Sequence, residues 1–526
     1  TKPMQRLLIV ILTIFQTAVL FSQGISGTIT GADGETLPYA SIYIKEQASG
    51  TTSNINGKYQ LKLPPGTYEV TFQYVGFKTE VKSIEVGSSD VVLDVTLALQ
   101  TEFLQEATVV GKSEDPAWSI MRLAIAKAPY QLLRFKSYSA KVYMKGTGKL
   151  EDMPWLAKKM MSKDDIDIDR AFTSESVNQI SFESPNTYKE KVISVRTSGK
   201  ELDGANPSSY INASFYRPMV VGGVSPFSPH AFSYYKFHYL GNFTDRGYKI
   251  HKIEVTPRSK GDQVFTGIIF IRDGYWDLHS LDVKTHVQFF DIGIVQFYGP
   301  VKEHLWMPVT QKYEISGSFM GFKGRYNYLA SVSDYHIVEN EALKGEINLV
   351  DEKLEDVSPE VADNKGKQQK TDENLGKVFK ESKPVTTKEF VSLIDDMAEE
   401  QEEELAEPDV ISDYSFKIDS AAAKKDSLYW DSIRTVPLTE EEIKGYRKDD
   451  STYVETLNDS IKAHFKVFRA SDLFFGNSYK LGEKTALRFH GFLPGLRFNT
   501  VEGFNLDAAF DLSVKADTYK VYSIAP

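Results

Sequence analysis

The N-terminal fold is decided by residues 50–77, GTTSNINGKYQLKLPPGTYEVTFQYVGF. Two runs in this stretch, 58–63 and 67–74, are rich in apolar and aromatic residues, and Gly, Asn and Pro punctuate them at 54–57 and 64–66. Short runs of this kind at roughly ten-residue spacing are typical of an all-β sandwich. Working outward, the same pattern predicts further strands at 25–30, 39–44 and 91–97.

The order of motifs in this region resembles the carboxypeptidase regulatory-like domain, a transthyretin-like module. The residues that carry the resemblance are GxIxGADGExLPYASIYI at 27–44, the stretch at 50–77, and the final run VVLDVTLAL at 91–99. The resemblance implies a seven-stranded-type β-sandwich over 24–99, which serves as an accessory domain and not as a peptidase.

The composition of the 526-residue chain excludes several classes of function. A formal net charge of −11 without a compensating basic stripe argues against nucleic acid as a partner. The absence of cysteine removes disulfides, thiolate zinc sites and thiol nucleophiles. The 28 tyrosines and 32 phenylalanines suit a β-rich protein with many half-buried strands.

The first 23 residues are typical of a secretion signal. Lys2 and Arg6 precede an apolar run at 7–21, and the small residue Ser22 follows near a suitable cleavage point. The run is shorter than the roughly twenty residues that a membrane-spanning helix needs, although a permanent anchor is the alternative. We therefore predict that residues 1–23 are a cleaved signal peptide and that the chain is exported.

A connector with one helix is predicted at 100–136, followed by an antiparallel β-rich domain at 137–338. Asp115 is the candidate N-cap of the helix, Pro116 suits its first turn, and Pro129 is expected to end it. Alternation of apolar and polar residues predicts long strands in the β-rich domain. These strands are expected at 136–149, 187–197, 232–242, 248–257, 264–272, 276–288, 305–318 and 324–338.

The composition changes after the β-rich domain. Residues 339–427 are highly charged and poor in aromatics, with a dense acidic run at 395–407, and are expected to form an acidic, partly disordered linker. A helical and extended connector is predicted at 428–464. Within it, Thr439 and Glu442 form a capping box, which predicts the start of a helix.

A second resemblance covers the rest of the chain. It is carried by SESVNQISFESPNTYKEKVISVRTSG at 174–199, SPFSPHAFSYYKFHYLGNF at 225–243 and WDSIRTVPLTEEE at 430–442. These blocks resemble an uncharacterised family of envelope proteins, in which a carboxypeptidase regulatory-like domain precedes a β-rich middle region and a C-terminal outer-membrane barrel. The resemblance implies a cell outer membrane location with soluble domains in the periplasm, and it transfers no activity.

Residues 465–526 are expected to be the start of that outer-membrane β-barrel. Residues 485–491 and 505–515 alternate with a period of two, and 497–506 is similar to the opening hairpin of surface-antigen-type barrels. The smallest membrane barrels need about eight strands of about nine to eleven residues, which a tail of this length cannot supply. We therefore expect the barrel to be truncated at Pro526. The alternative is that the tail extends the preceding sheet.

No motif in the sequence carries recognisable catalytic, cofactor-binding or metal-binding chemistry. The nine histidines form no HExxH motif, and we expect no zinc carboxypeptidase site. His279 and Asp282 have HxxD spacing, but strand alternation places them on opposite faces, so a core histidine is expected. The alternating aspartates of 165–169 begin like a calcium loop, yet Arg170 replaces the required glycine. We therefore expect no catalytic residue, no cofactor and no metal.

One short stretch is a candidate for contact with an apolar ligand or a membrane. Residues 154–161, PWLAKKMM, are basic and amphipathic and lie in a helix predicted at 151–162. The side chains concerned are those of Trp155, Leu156, Met160 and Met161. Packing of this helix on the neighbouring sheet is the alternative.

Together these features predict a non-enzymatic outer-membrane envelope protein. Its periplasmic β-domains are expected to dock partner proteins or substrates next to a membrane barrel, in assembly or transport, with sandwich edge strands available for pairing. One alternative is a carrier of lipid or another apolar ligand on a curved sheet of 137–338, with 154–161 as its lid. The other is a hydrolase, for which the sequence offers no motif.

Overall fold

The computed structural model describes most residues between Gly24 and Tyr446, and the backbone of six strands beyond them. The described ranges are 24–100, 114–155, 172–184, 187–198, 213–259, 261, 263–287, 289–302, 304–319, 321–345, 347–351, 384–394, 414–419, 422, 425–446, 477–480, 485–489, 496–499, 503–506, 510–517 and 520–524. The predicted signal peptide lies outside the described residues.

The N-terminal region forms two small sheets that share one core. Their strands are β1 (Gly24–Gly31), β2 (Ser41–Ile44), β3 (Ser49–Thr52), β4 (Lys58–Lys62), β5 (Gly66–Gln73), β6 (Glu80–Val86), β7 (Val91–Val92) and β8 (Val95–Leu97). One sheet has the order β4-β1-β7, with β8 also paired to β1, and the other has the order β3-β2-β5-β6. The predicted β-sandwich is confirmed, with β3 and β6 as strands that the sequence pattern did not indicate.

Apolar side chains that alternate along these strands form the core of the sandwich. Ile29 of one sheet and Ile42 of the other are fully buried, and Tyr59 meets Phe72 edge to face at 5.5 Å between ring centroids. The turn predicted at 54–57 closes around Asn54, whose side-chain oxygen accepts hydrogen bonds from two backbone amides. The pattern of strands and turns therefore determines this module locally.

Helix α1 (Pro116–Leu133) follows the sandwich and begins where the sequence predicts. The carboxylate of Asp115 accepts a hydrogen bond from the backbone N–H of Ala117 at 2.9 Å, as an N-cap does. The prediction that Pro129 ends the helix was wrong, because the helix continues for another turn. That last turn buries Leu133, and this packing offsets the backbone hydrogen bond that a proline cannot donate.

A large sheet follows α1 and contains most of the remaining strands. In chain order its members are β9 (Phe135–Asp152), β10 (Phe172–Glu183), β11 (Thr187–Thr197), β14 (Tyr235–Asp245), β15 (Tyr248–Pro257), β16 (Phe265–Arg272), β17 (Leu278–Val287), β18 (Phe290–Lys302), β19 (Leu305–Phe319), β20 (Phe322–Glu339) and β23 (Tyr414–Ile418). The spatial order is β14-β15-β16-β17-β18-β19-β20-β9-β10-β11-β23. All neighbours are antiparallel except β11 and β23, which are parallel.

Smaller elements complete the described chain. They are the 3₁₀ turns Lys45–Gln47 and Glu341–Leu343, strands β12 (Met219–Val220), β13 (Gly223–Val224), β21 (Leu349–Val350) and β22 (Val385–Thr386), and helices α2 (Ala231–Tyr234), α3 (387–394), α4 (Ser427–Ile433) and α5 (440–446). The C-terminal strands are β24 (Asn477–Lys480), β25 (Thr485–Phe489), β26 (Leu496–Asn499), β27 (Gly503–Leu506), β28 (Phe510–Asp517) and β29 (Lys520–Ile524). The fold is thus mainly β, as predicted.

The strand predictions for the large sheet were accurate where alternation is regular. The runs predicted at 187–197 and 248–257 coincide with β11 and β15. Three details differ. β10 and β18 were not predicted, and the run predicted from residue 232 begins with helix α2. Glu151 and Asp152, where a helix was predicted to start, belong to β9.

One face of the large sheet, which we call the α1 face, packs on helix α1. Met121 and Ala124 of the helix share a core with strand residues such as Val142 and Ile253, and all of these are fully buried. Segment 213–235 fills the rest of this face. The α1 face is therefore the principal core of the protein.

The opposite face is covered by the sandwich and by residues 425–446, which we call the strap. The sandwich contacts the sheet through Ser41, whose hydroxyl accepts a hydrogen bond from Thr310 Oγ1 at 2.9 Å. In the strap, Trp430 is fully buried. The strap also contacts the sandwich, since Thr51 Oγ1 donates to the carbonyl of Thr435 at 2.7 Å. Sandwich, strap and large sheet therefore share interfaces.

Candidate functional site: a cavity beside helix α1

A cavity of about 460 Å³ lies where the end of α1 meets the large sheet. It is lined by Gln131, Leu132 and Arg134 from the helix and its C-cap, by strand residues Phe135, Tyr138, Phe182, Tyr188, Tyr298, Trp306, Met307 and Pro308, and by Ala213, Ser214, Tyr216, Arg217, Pro218 and Met219 from the preceding loop. Most of these side chains are apolar or aromatic. A cavity of a few hundred cubic ångströms with an apolar lining and few polar groups is typical of a ligand site.

Aromatic packing shapes one wall of the cavity. The rings of Tyr138 and Phe182 lie 5.1 Å apart, and those of Phe182 and Tyr188 lie 4.8 Å apart, measured between centroids. These residues come from β9, β10 and β11, which are neighbours in the sheet. A second cavity of about 500 Å³ adjoins this wall, because Tyr138 and Phe182 line both spaces.

The two positive charges of the lining belong to Arg134 and Arg217, and no other lining residue is of a charged type. Burial raises the pKa of Tyr138, of Tyr216 and of Tyr298, so these phenols stay neutral at physiological pH. The lining therefore combines apolar surface with two guanidinium groups.

The hydrogen bonds of these two arginines are incomplete within the described residues. Arg134 Nη2 donates to the carbonyl of Trp306 at 3.1 Å, and Arg217 Nη2 donates to the hydroxyl of Tyr188 at 3.3 Å. The Nε atoms of both arginines and Nε1 of Trp306 are buried and have no partner in that part of the chain. The hydrogen bonds of both guanidinium groups are therefore incomplete within the described residues.

The predicted contact residues do not line this cavity where they are described. Trp155 is 75% exposed, directly after β9, and belongs to neither cavity lining. Leu156, Met160 and Met161 lie outside the described residues, as do the alternating aspartates of 165–169. The sequence analysis missed Arg134 and Arg217. The signal available in the sequence was the position of Arg134 directly after an apolar helix. Charged residues are rarely buried, so a charge at the end of a buried helix indicates a special environment.

Histidines of the large sheet form hydrogen-bonded clusters with carboxylates. His251 Nε2 lies 2.9 Å from a carboxylate oxygen of Asp273, and its Nδ1 lies 3.2 Å from the hydroxyl of Tyr239. His279 contacts Asp245 at 2.8 Å. Burial lowers the pKa of His251 and of His279, and the carboxylate partners oppose this shift only in part. None of these side chains lines either cavity, so they act as satisfied core groups.

No metal centre is formed by the described residues. Within those ranges, no group of three or more His, Asp or Glu side chains is placed to hold a metal ion. In the same part of the chain, no helix has the length and apolar character needed to cross a bilayer.

Two protein-family models match the chain, one over the sandwich and one over α1 and the large sheet. A model described as CarboxypepD_reg-like domain matches residues 25–110, and a family of unknown function, DUF5686, matches residues 120–335. The chain joins a CarboxypepD_reg-like domain to a DUF5686 domain. The DUF5686 match covers α1, all strands that line the cavity and the loop that carries Arg217, so the cavity belongs to the DUF5686 domain.

The chain is also similar to known proteins over shorter stretches. It is 32% identical over 129 residues to TonB-dependent receptor P3 of Formosa agariphila, which is 24% of this chain and 12% of the receptor. It is 32% identical over 91 residues to TonB-dependent receptor P39 of the same organism, which is 17% of this chain and 8% of the receptor. The chain thus spans about a tenth of the length of these relatives. Their similarity supports the predicted outer-membrane envelope role.

Part of the chain is also similar to a solved structure, a DUF1329 family protein from Desulfovibrio piger. The similarity covers 43% of this chain and 94% of that chain, with 9% sequence identity and a TM-score of 0.20.

Proposed function

We propose that this protein is a non-enzymatic outer-membrane envelope protein whose DUF5686 domain carries an apolar ligand in the cavity beside α1. The cavity itself is the observation that supports the proposal. Its volume of about 460 Å³ falls within the range of small-molecule sites, roughly 300–1,000 Å³.

The ligand is expected to be held between the end of α1 and the large sheet. The proposed lid at 154–161 is not needed for this site, because the loop at 213–219 supplies one side of the cavity. Carriage without catalysis is consistent with neutral, hydrogen-bonded histidines that lie away from the lining. The soluble domains are proposed to be periplasmic, next to a membrane barrel formed by the C-terminal part of the protein.

Native mass spectrometry of the full chain, purified from an envelope-bearing host, tests the proposal. We expect the native protein to carry an additional lipid-like mass that is released on denaturation. The matched variants are Ala213→Phe, which fills the cavity, and Thr256→Phe, which places the same ring on an exposed position of β15. The added mass should be lost in Ala213→Phe and kept in Thr256→Phe. Equal masses in both variants, or none in the unmodified chain, would contradict the proposal.

Docking of an envelope protein is a second candidate function, and strand β6 favours it. Within the described residues, β6 pairs only with β5 and is the last strand of its sheet. Val81 of β6 is 41% exposed. An open edge of this kind can accept a strand from a partner. A photo-crosslinker placed at residue 81 should give a discrete adduct in cells, whereas uniform or absent labelling would argue against docking at this edge.

A further inference from the structure

We propose that the ligand of this cavity is an anionic amphiphile with a single acyl chain, and that Arg134 and Arg217 bind its acidic head. The inference rests on the proposed function, because it names the class of ligand for the same cavity. The shared chemistry of the head is an oxyanion, either a carboxylate or a phosphate. Three features support this class of ligand: the positive charge of the lining, the lack of carboxylate partners for its two arginines, and the volume of the cavity.

The missing partners are unusual for buried arginines in this chain. Four other buried or half-buried guanidinium groups of the described ranges contact a carboxylate at 3.0 Å or less; they belong to Arg122, Arg246, Arg272 and Arg434. Arg134 is only 8% exposed, yet it forms no ion pair with a described residue. Arg217 is half-buried and likewise forms no ion pair with a described residue. A buried charge without a counter-charge is costly. An oxyanion in the cavity would supply the counter-charge that protein carboxylates supply elsewhere.

The guanidinium groups also suit an oxyanion. Each guanidinium donates one hydrogen bond through Nη2 to a neutral oxygen of the wall, which fixes the side chain and leaves further N–H groups for a ligand. A carboxylate or phosphate accepts several such hydrogen bonds, and bonds between charged partners are stronger than neutral ones. An uncharged head would leave the charge of both arginines unbalanced.

The volume limits the apolar part of the ligand to one chain. About 460 Å³ corresponds to roughly fifteen water-sized groups at about 30 Å³ each. A methylene group is of similar size, so one long acyl chain fills the cavity and two do not fit. Phe135, Phe182 and Met307 supply apolar surface for such a chain. The cavity volume therefore matches a monoacyl acid.

Comparative binding of three probes of equal chain length to the full chain tests the inference. The probes are hexadecanoate, hexadecyl phosphate and hexadecanol, added to ligand-depleted protein kept soluble without detergent and measured by calorimetry. Charge-assisted hydrogen bonds contribute about 1.5–3 kcal/mol, so the two acids should bind about ten- to a hundredfold more tightly than the alcohol. A preference for one acid over the other identifies the head as carboxylate or phosphate.

Substitution of the arginines separates head recognition from general binding. Arg134→Gln and Arg217→Gln should each reduce the affinity for the acids about tenfold or more and leave the affinity for hexadecanol unchanged. Arg325→Gln is the matched control, because its side chain is 54% exposed and lies outside the lining. Unchanged hexadecanol binding also shows that each variant is folded.

The outcomes distinguish this inference from the proposed function. If all three probes bind equally well, the cavity carries an apolar ligand but the anionic head is refuted. If acids bind preferentially and the arginine variants retain that preference, recognition by Arg134 and Arg217 is refuted. If none of the probes binds, the proposed carrier function itself fails.

Discussion

Replacing Arg434 by methionine should release the strap from the large sheet. Arg434 donates two hydrogen bonds to the carboxylate of Glu175, at 2.8 and 2.9 Å, and the hydroxyl of Tyr143 donates a third at 2.5 Å. Glu175 is only 1% exposed. Arg434→Met replaces the charged side chain by a long apolar one and leaves the buried carboxylate of Glu175 without its ion-pair partner.

The expected cost follows from this burial. Removing one partner of a buried ion pair destabilises a protein by about 3–5 kcal/mol, because the remaining charge stays desolvated. The strap is one segment of a large protein, so the loss should appear as local opening of residues 425–446 before global unfolding. Since about 1.4 kcal/mol corresponds to a factor of ten, the population of the open strap should rise by about two to three and a half orders of magnitude.

Hydrogen–deuterium exchange of strap peptides measures this opening, and its pH dependence tests the cause. Burial disfavours ionisation of Glu175, but the hydrogen bonds from Arg434 and Tyr143 outweigh it and hold the pKa of that carboxyl below its usual range. A lowered pKa adds stability above the ordinary pKa of glutamate, and this is lost as the pH falls through the folded-state value. In Arg434→Met the burial is opposed only by the Tyr143 hydrogen bond and the Lys145 charge, so the pKa of Glu175 should rise. The variant should therefore recover relative to the native protein as acid neutralises Glu175.

The double variant Glu175→Gln with Arg434→Met is the control for charge. It removes both ions together, so it should be markedly less destabilised than Arg434→Met alone. The reasoning is refuted if Arg434→Met leaves exchange of the strap unchanged. The reasoning is equally refuted if the destabilisations caused by Glu175→Gln and Arg434→Met simply add in the double variant. It is also refuted if the destabilisation of Arg434→Met increases at low pH.

Three further predictions concern other parts of the fold. Gly50→Val should loosen the sandwich from the large sheet, seen as faster limited proteolysis between them, because a Cβ at Gly50 would lie 2.5 Å from the carbonyl oxygen of Val309; unchanged proteolysis would contradict this. Asp115→Ala should lower the stability of α1 by about 1–2 kcal/mol in thermal unfolding, since the cap on Ala117 is lost, whereas Asp115→Asn should retain most of it. Burial lowers the pKa of His251. The neutral form of this side chain therefore contributes its full stability above the ordinary histidine pKa, and this stability is lost as the pH falls below that value. His251→Gln should reduce the fall in melting temperature between pH 7 and pH 5.

Local chemistry made part of this fold predictable. The N-cap at Asp115 is present, and so is the capping box, in which the backbone N–H of Thr439 donates to Glu442 at 2.7 Å. Such signals involve residues a few positions apart, so the surrounding structure has little influence on them. Regular alternation likewise predicted β15 at its observed bounds.

Long-range effects account for the errors. Pro129 would end an isolated helix, but burial of the following turn on its neighbours reverses that preference. Strand β10 contains a register shift between Val177 and Asn178, which interrupts the alternation that a sequence pattern relies on. The contact between Glu442 and Lys145, at 2.7 Å, was not predicted either, because the two residues are far apart in the sequence.

The candidate site was the least predictable feature. Arg134 follows a helix and Arg217 lies in a loop, and each in isolation resembles an ordinary surface cation. Their common role depends on the sheet that brings both beside Trp306. Trp155 was chosen for its amphipathic surroundings, a local property, and the structure leaves it exposed.

The position of β9 in the large sheet has a consequence for the order of folding. β9 pairs with β10 on one side and with β20 on the other. β20 lies far along the chain, as the pairing of Ser137 with Val338 shows. During synthesis from the N-terminus, β9 therefore presents an open hydrogen-bonding edge until the whole intervening chain has been made. A factor that shields this edge on the nascent or exported chain would raise the yield of folded protein without changing its final stability.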